Sequence, residues 1–212
     1  MFASWVDILG GSLARRQTFV KGRNPKLMES GRDCGRIQTL RVKLTWRYRL
    51  TEPTRICFVC LGNIVRSPLA ENMFRYLAKQ AGVENDYEVD SAGTSSYHVG
   101  ERPDRRMRRV AAEHGFQYDG RSRQFKRGDF AKFDWIIAMD SSNRADLKRM
   151  APTEADQDKV RLMREFDPQG EPNDPVPDPY YGGIDGFEKV YQIVERSCRG
   201  LLDALEQGEL TK

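Results

Sequence analysis

The fold of this chain is decided by one stretch of sequence, Arg55-Ile56-Cys57-Phe58-Val59-Cys60-Leu61-Gly62-Asn63-Ile64-Val65-Arg66-Ser67-Pro68. Its first five residues form an apolar run that predicts a buried strand. Residues 62–63, Gly-Asn, favour a tight or left-handed turn, because both tolerate backbone conformations that other residues avoid. Residues 67–68, Ser-Pro, are typical of a helix N-cap and first helical position, so we predict a helix from Leu69 to about Gln80. Cys60 is therefore expected where a strand ends and a loop curls into a helix.

The chemistry of this loop follows from Cys60 and Arg66, which bracket it in a C-x5-R pattern. A thiol is a nucleophile only as thiolate, and a helix N-terminus or a nearby cation stabilises that form. The loop amides can hold the non-bridging oxygens of a phosphoryl group, and the planar fork of Arg66 can bind two of them. Ser67 is close enough in sequence to donate its hydroxyl to the sulfur. These residues indicate cleavage of a phosphate ester through a phosphocysteine.

Such a mechanism needs a general acid to protonate the leaving oxygen, and Asp178 is the best candidate. Half of the ten prolines fall between Pro168 and Pro179, which predicts a stiff, irregular loop able to hold a carboxylate over a pocket. Asp174, in the same loop, is interpreted only as a turn-forming residue before proline. Residues 180–181 are both tyrosine, and aromatic faces suit the walls of a slot for a flat ring.

Taken together, these motifs resemble those of the low-molecular-weight protein tyrosine phosphatases, from about Thr54 to about Glu206. The resemblance rests on residues 60–71, Cys-Leu-Gly-Asn-Ile-Val-Arg-Ser-Pro-Leu-Ala-Glu, and on residues 178–181, Asp-Pro-Tyr-Tyr. The landmarks between them also match in order and spacing: Asp90 to Thr94, Gly100, Pro103-Asp104, His114-Gly115, Arg123-Gln124, Phe133-Asp134, and Ala138 to Asp140 with Asn143.

The resemblance implies a role for each site residue. Cys60 would be the nucleophile, Arg66 the phosphate clamp, and Asp178 the acid of the first step and the base of the second. The substrate would be bound by two groups, the loop residues Leu61, Gly62, Asn63, Ile64, Val65 and Ser67 and the aromatic walls Tyr97, Tyr180 and Tyr181. Asn63, Ser67 and Ser91 would support the loop through hydrogen bonds. No metal and no cofactor is expected.

Two positions depart from the family pattern. Members often carry a second cysteine directly before the arginine, where this chain has Val65, so reversible disulfide protection of Cys60 is in doubt. Cys57 is interpreted as a core residue rather than a substitute partner. Gly120 stands where many members have a histidine that supports the loop, and its presence is expected to soften the site.

Composition sets the domain organisation. Residues 1–50 hold 11 of the 35 Lys/Arg but only 3 of the 31 Asp/Glu, so the remaining residues carry 24 basic against 28 acidic side chains. We expect residues 1–53 to be a basic extension, either disordered or an artefact of a misplaced start site, with an organelle transit peptide as the further alternative. Val42 to Leu50 within it is a weak strand candidate. Residues 54–212 are expected to form the phosphatase domain.

Strands and helices alternate along that domain, which predicts an α/β fold with a parallel sheet covered on both faces. The expected strands are 55–59, 87–90, 133–139 and 159–163, and the later helices are 103–114 and 186–207. The four arginines at 105, 106, 108 and 109 are interpreted as a solvated helix face. The resemblance further implies a three-layer fold, in which a four-stranded sheet with flavodoxin-like winding lies between two layers of helices.

The leading hypothesis is a metal-independent phosphomonoesterase acting on phosphotyrosine in proteins. An arginine-phosphate phosphatase is one alternative, although that group tends to have threonine where this chain has Ile64. Thiol-dependent arsenate reductase is a second, and a silent phosphopeptide-binding module a third. No stretch approaches the roughly 18 apolar residues of a membrane span, and the basic leader does not indicate nucleic-acid binding. Four unpatterned cysteines favour a reducing cytoplasm, and we expect a monomer or weak dimer.

Overall fold

The computed structural model describes residues 52–171 and 173–210. The basic extension at residues 1–53 therefore lies outside the described residues except for its last two, as does the weak strand candidate at 42–50. The organisation expected for that part of the chain stays a prediction.

Four parallel strands form one sheet in the order β2-β1-β3-β4. They are β1, Thr54–Cys60, β2, Tyr87–Gly93, β3, Trp135–Ala138, and β4, Val160–Leu162. β1 is central and pairs with β2 from Thr54 opposite Tyr87 to Cys60 opposite Gly93, and with β3 on its other side. This order confirms the predicted four-stranded parallel sheet, and it places the carboxyl ends of β1 and β3 side by side.

Helices cover both faces of the sheet. They are α1, Arg66–Ala81, α2, Arg105–Glu113, α3, Ser141–Met150, α4, Glu154–Asp158, and α5, Ile184–Gln207. α1, α2 and α5 pack over a large apolar cluster on one face, and α3 contributes Leu147 to a smaller cluster on the other. The apolar stripe of α5, which includes Cys198, is buried. The three-layer α/β architecture is thus confirmed.

Alternation along β1 separates its two cysteines. Ile56, Phe58 and Cys60 belong to the cluster under α1 and α5, whereas Cys57 and Val59 belong to the cluster on the opposite face. Successive side chains of a strand point to opposite faces, so Cys57 lies behind the sheet as seen from Cys60. This placement agrees with the interpretation of Cys57 as a core residue.

Two local predictions were wrong. α1 begins at Arg66 rather than Leu69, and Ser67 is not its N-cap, because the Ser67 hydroxyl contacts Cys60 and Asn63 instead of a helix amide. α3 and α4 were not predicted, because the ten-residue α3 has only two buried residues and the five-residue α4 has none. Among the described helices, none has a long enough apolar stretch to cross a membrane.

Candidate active site

The loop between β1 and α1 curls around the sulfur of Cys60. Asn63 adopts a left-handed backbone conformation, with φ of 53°, as the Gly-Asn pair predicted. The loop carbonyls face outward: those of Cys60 and Leu61 accept from the amides of Thr94 and Ser95, each at 2.9 Å. With carbonyls turned outward, the N–H groups of the same loop can turn inward, and that of Asn63 donates to Cys60 Sγ at 3.2 Å. The loop thus has the form of an anion cradle with a thiol at its base.

A chain of buried hydrogen bonds supports this loop from behind. Asn63 Nδ2 donates to Ser67 Oγ at 2.9 Å and to Ser91 Oγ at 2.8 Å. Ser67 Oγ lies 3.0 Å from Cys60 Sγ, where the hydroxyl can donate to a thiolate. Ser91 in turn donates to Glu71 at 2.6 Å, and burial raises the pKa of that carboxyl although Ser91 and Arg75 oppose the change. The support expected from Asn63, Ser67 and Ser91 is therefore present as contacts, with Glu71 at its end.

Two adjacent residues of the segment between α2 and β3 also brace the cradle. Ser122 Oγ donates to the Gly62 carbonyl at 3.0 Å, and the amide of Arg123 donates to Asn63 Oδ1 at 2.9 Å. The space around Gly120 is empty, because a Cβ placed on this residue would meet no atom within 4 Å. Ser122 and Arg123 thus contact the loop directly, close to the position where family members have a histidine.

Arg66 is held rigidly at the mouth of the cradle. Its side chain is 4% exposed, and Nη1 donates to Asp140 at 2.7 Å and to the Val176 carbonyl at 3.1 Å. Nη2 donates to Asp178 at 2.7 Å. Burial acts to lower the pKa of Arg66, but its electrostatic interactions with Cys60, Asp178 and Asp140 outweigh burial and raise the pKa above its ordinary value. The guanidinium is therefore a permanent cation beside the sulfur.

Asp178 faces the same cavity from the proline-rich loop. Its Oδ2 accepts from Arg66, its Oδ1 accepts from the amide of Tyr180 at 3.1 Å, and its side chain is 43% exposed. The loop is anchored to the sheet, because the Val176 amide donates to the carbonyl of Met139 at 2.8 Å. The Asp178 carboxylate and the loop that carries Cys60 thus lie in the same pocket, although they are far apart in sequence.

The pocket has a volume of about 220 Å³. Ten of the residues expected from the sequence line it: Cys60, Leu61, Gly62, Ile64, Val65, Arg66, Tyr97, Asp178, Tyr180 and Tyr181. Asn63 and Ser67, expected also to bind substrate, lie behind the loop with Ser91, where they support it. Tyr97 and Tyr181 are 85% and 98% exposed and stand at the rim.

Sequence reasoning missed several contributors. Ser95 and His98 line the pocket from the segment after β2, and Asp140 fixes Arg66 from the end of β3. Asp140 could have been found, because it follows the third apolar strand, and the carboxyl ends of parallel strands meet at one edge. Within the described residues, no group of three or more His, Cys, Asp or Glu is arranged to hold a metal ion.

Comparison with known proteins assigns the family. The family model described as low molecular weight phosphotyrosine protein phosphatase matches residues 55–210. A low molecular weight protein-tyrosine-phosphatase of Streptomyces coelicolor is 47% identical over 154 residues, covering 72% of this chain and 94% of that protein. The human low molecular weight phosphotyrosine protein phosphatase is 42% identical over 149 residues, covering 70% of this chain and 93% of its own length.

Solved structures agree. A protein tyrosine phosphatase from Entamoeba histolytica, crystallised with Hepes in its active site, superposes with a TM-score of 0.71 at 42% identity and covers 74% of this chain and 99% of its own. A Drosophila arginine phosphatase superposes with a TM-score of 0.66 at 32% identity and covers 71% and 97%. With 156 residues matched by the family model, the chain belongs to the low molecular weight phosphotyrosine protein phosphatase family.

Proposed function

We propose that this protein hydrolyses phosphotyrosine in proteins through a phosphocysteine formed on Cys60. The observation that carries the proposal is the convergence of a buried thiol, a buried guanidinium and a carboxylate on one pocket, from residues 60, 66 and 178. Nucleophilic catalysis by cysteine needs an activated thiolate, and here Asn63, Ser67 and Arg66 supply donors and positive charge next to the sulfur.

In the first step, Cys60 Sγ attacks phosphorus and the ester oxygen departs. The loop amides and the Arg66 fork hold the equatorial oxygens, which bear the transition-state charge. When the phosphoryl oxygens bind Arg66, they compete with the ion pair between Arg66 and Asp178. The Asp178 carboxyl group is then free to face the leaving oxygen. To act as the acid, Asp178 donates a proton to the leaving oxygen in this step.

In the second step, water attacks the phosphocysteine. Asp178, now ionised, takes a proton from the water, and the thiolate leaves with its charge again stabilised by Ser67 and the Asn63 amide. One carboxyl thus serves as acid and then as base, as microscopic reversibility requires. Asn63 and Ser67 act from behind the loop in this account.

The walls of the pocket favour an aromatic ester. Tyr180 and Tyr181 lie edge to face with ring centroids 5.1 Å apart, and Tyr97 lines the same pocket. Ile64 and Leu61 add apolar surface on the loop side. A phenyl ring gains contact with these side chains that a short phosphoserine cannot reach. The exposed tyrosines at the rim also leave room for the polypeptide that carries the phosphotyrosine.

The alternatives have less support. Arsenate reduction needs further thiols, but the other two cysteines in the described part of the chain, Cys57 and Cys198, are fully buried, and burial raises the pKa of both well above the ordinary value. An arginine phosphatase shares the scaffold at 32% identity, whereas the Streptomyces coelicolor and human tyrosine phosphatases are 47% and 42% identical to this chain. We also propose a reducing, cytoplasmic setting, because Cys60 must remain a free thiol, and a catalytic domain at residues 54–212 that acts without residues 1–53.

The test is hydrolysis of phosphotyrosine, phosphoserine and phosphoarginine peptides in EDTA by the wild type, Cys60→Ser and Asp178→Asn. We expect phosphotyrosine turnover that vanishes in Cys60→Ser and falls by about 10²–10⁴ in Asp178→Asn. Phosphoarginine turnover above that of phosphotyrosine would overturn the substrate assignment. Turnover retained in Cys60→Ser would overturn the mechanism.

A further inference from the structure

Arg106 lies in the run of arginines that the sequence placed on a solvated helix face; its side chain is 40% exposed, yet it makes specific contacts with three parts of the domain. Its Nε and Nη2 donate to the two carboxylate oxygens of Asp104 at 3.1 and 2.8 Å. Its Nη1 donates to the backbone carbonyl of Tyr180 at 3.1 Å. The guanidinium carbon lies 4.5 Å from the ring centroid of Phe187 and 5.4 Å from that of Tyr180. One side chain thus joins the start of α2, the start of α5 and the loop that carries Asp178.

The anchor of Arg106 is tied to the nucleophile loop. The amide of Asp104 donates to the carbonyl of Ile64 at 2.7 Å, and its carboxylate caps α2 by accepting from the Arg106 amide at 2.7 Å. Phe187 is fully buried in α5. Asp104 and Phe187, which both contact the Arg106 guanidinium, are therefore held in place by the rest of the domain.

Arg106 is linked to Asp178 through the backbone of Tyr180. The Tyr180 carbonyl accepts from Arg106, and the Tyr180 amide donates to Asp178 Oδ1 at 3.1 Å. Residues 174–180 contain no helix or strand, so few backbone bonds hold this part of the loop. The position of the carboxyl over the pocket depends on side-chain ties of this kind.

We propose that Arg106 is a positioning residue that holds Asp178 in place for proton transfer to the leaving oxygen. The inference rests on the proposed role of Asp178 as general acid. Arginine suits the task, because its planar fork binds Asp104 with two donors, keeps a third for Tyr180 and stacks on Phe187. Lysine offers a point charge and cannot do all three.

The signature of such a role is a dependence on the leaving group. kcat/KM reports the steps up to formation of the phosphocysteine, in which a basic leaving oxygen needs the acid more than a weakly basic one. Phenyl phosphate has a leaving group like tyrosine, whereas 4-nitrophenolate leaves with little help. A misplacement of about 1 Å can cost on the order of 10²-fold in rate. We expect Arg106→Ala to lower kcat/KM by about 10–100-fold for phenyl phosphate and less than about threefold for 4-nitrophenyl phosphate.

The experiment compares these two substrates for wild type, Arg106→Ala, Arg106→Lys, Asp178→Asn and Arg109→Ala, with thermal unfolding of each. Arg109 is a matched control, because it lies on the same helix, is exposed and pairs with Glu113. Its variant should equal the wild type. Arg106→Lys, which keeps the charge and the apolar stem, should shift the substrate ratio in the same direction as Arg106→Ala.

Three outcomes would overturn the inference, and they can be told apart. If Asp178→Asn shifts the ratio and neither Arg106 variant does, Arg106 has no positioning role while the proposed function stands. If Asp178→Asn leaves the ratio unchanged, the acid is misassigned and both ideas fail together. Equal losses on both substrates in the Arg106 variants would likewise refute positioning, because a general structural role predicts them.

Discussion

Asp140 has two separable tasks, and replacing it by Asn or Ala tells them apart. One carboxylate oxygen accepts from the Arg66 guanidinium at 2.7 Å, and the other caps α3 by accepting from the Asn143 amide at 2.7 Å. Asparagine is as good an N-cap as aspartate, so Asp140→Asn should keep the cap and lose the charge. Asp140→Ala should lose both.

The expected magnitudes follow from these contacts. A hydrogen bond to a charged group contributes about 1.5–3 kcal/mol, which corresponds to a factor of about 10–150 in rate if Arg66 loses its orientation in the transition state. Arg66 keeps Val176 and Asp178 as partners, so we expect kcat/KM to fall by about 10–100-fold in both variants. The lost cap should make Asp140→Ala less stable than Asp140→Asn by about 1 kcal/mol.

The assay is kcat/KM on 4-nitrophenyl phosphate together with urea unfolding. Asp146→Asn is the control, because Asp146 lies on the same helix but pairs only with the exposed Arg149 among the contacts described. It should match the wild type within about twofold in kcat/KM, as surface substitutions usually do. Wild-type turnover in Asp140→Asn would refute the claim that Asp140 orients Arg66. Equal stability of the Asn and Ala variants would refute the capping argument.

Three further predictions concern oxidation, acid and the extension. Since Val65 replaces the partner cysteine and Cys57 lies on the opposite face of the sheet, brief peroxide should inactivate the enzyme with poor recovery in dithiothreitol; full recovery would contradict this. Burial acts to raise the pKa of Asp167, but hydrogen bonds from Arg196 and the Gln169 amide lower it below its ordinary value. Because the pKa of Asp167 is lower in the folded state than in the unfolded state, its carboxylate stabilises the fold at pH values above the unfolded pKa of about 3.9. This stabilisation is lost as the pH falls through the folded pKa. Because the Asp167 side chain is fully buried and paired with Arg196, Asp167→Asn should cost about 3 kcal/mol of unfolding free energy at pH 7, and a gap that persists unchanged at pH 3 would be inconsistent with this origin. Removing residues 1–50 should leave kcat/KM within about twofold of the full chain, because the family match begins at residue 55; loss of activity or of folding would show that the extension belongs to the domain.

Much of the fold could be predicted because its signals are local. The short apolar run of β1 and the helical spacing of apolar residues along α5 are local patterns, and both elements form as expected. Ser67 shows where local reasoning fails. The same residue can cap a helix or donate to a sulfur, and the buried neighbours Cys60 and Asn63 decide between them.

The parts of the site that the sequence did not indicate depend on long-range packing. Asp140 lies 74 residues from Arg66, and the two meet because β3 pairs beside β1. Arg106 stands in a run of arginines with no local mark, yet it contacts a carbonyl 74 residues away. The resemblance predicted roles for Cys60, Arg66 and Asp178, whereas it marked Asp140 only as part of a landmark without a role and did not mark Arg106 at all.

The central claim is that the phosphoryl group passes through Cys60. It is tested most directly by quenching the wild type with acid milliseconds after mixing with 4-nitrophenyl phosphate, then locating the bound phosphate by mass spectrometry of peptides. We predict phosphate on the peptide that contains Cys60, in step with the burst of nitrophenol, and none in Cys60→Ser. Phosphate on another residue, or a burst without phosphate on Cys60, would contradict the mechanism.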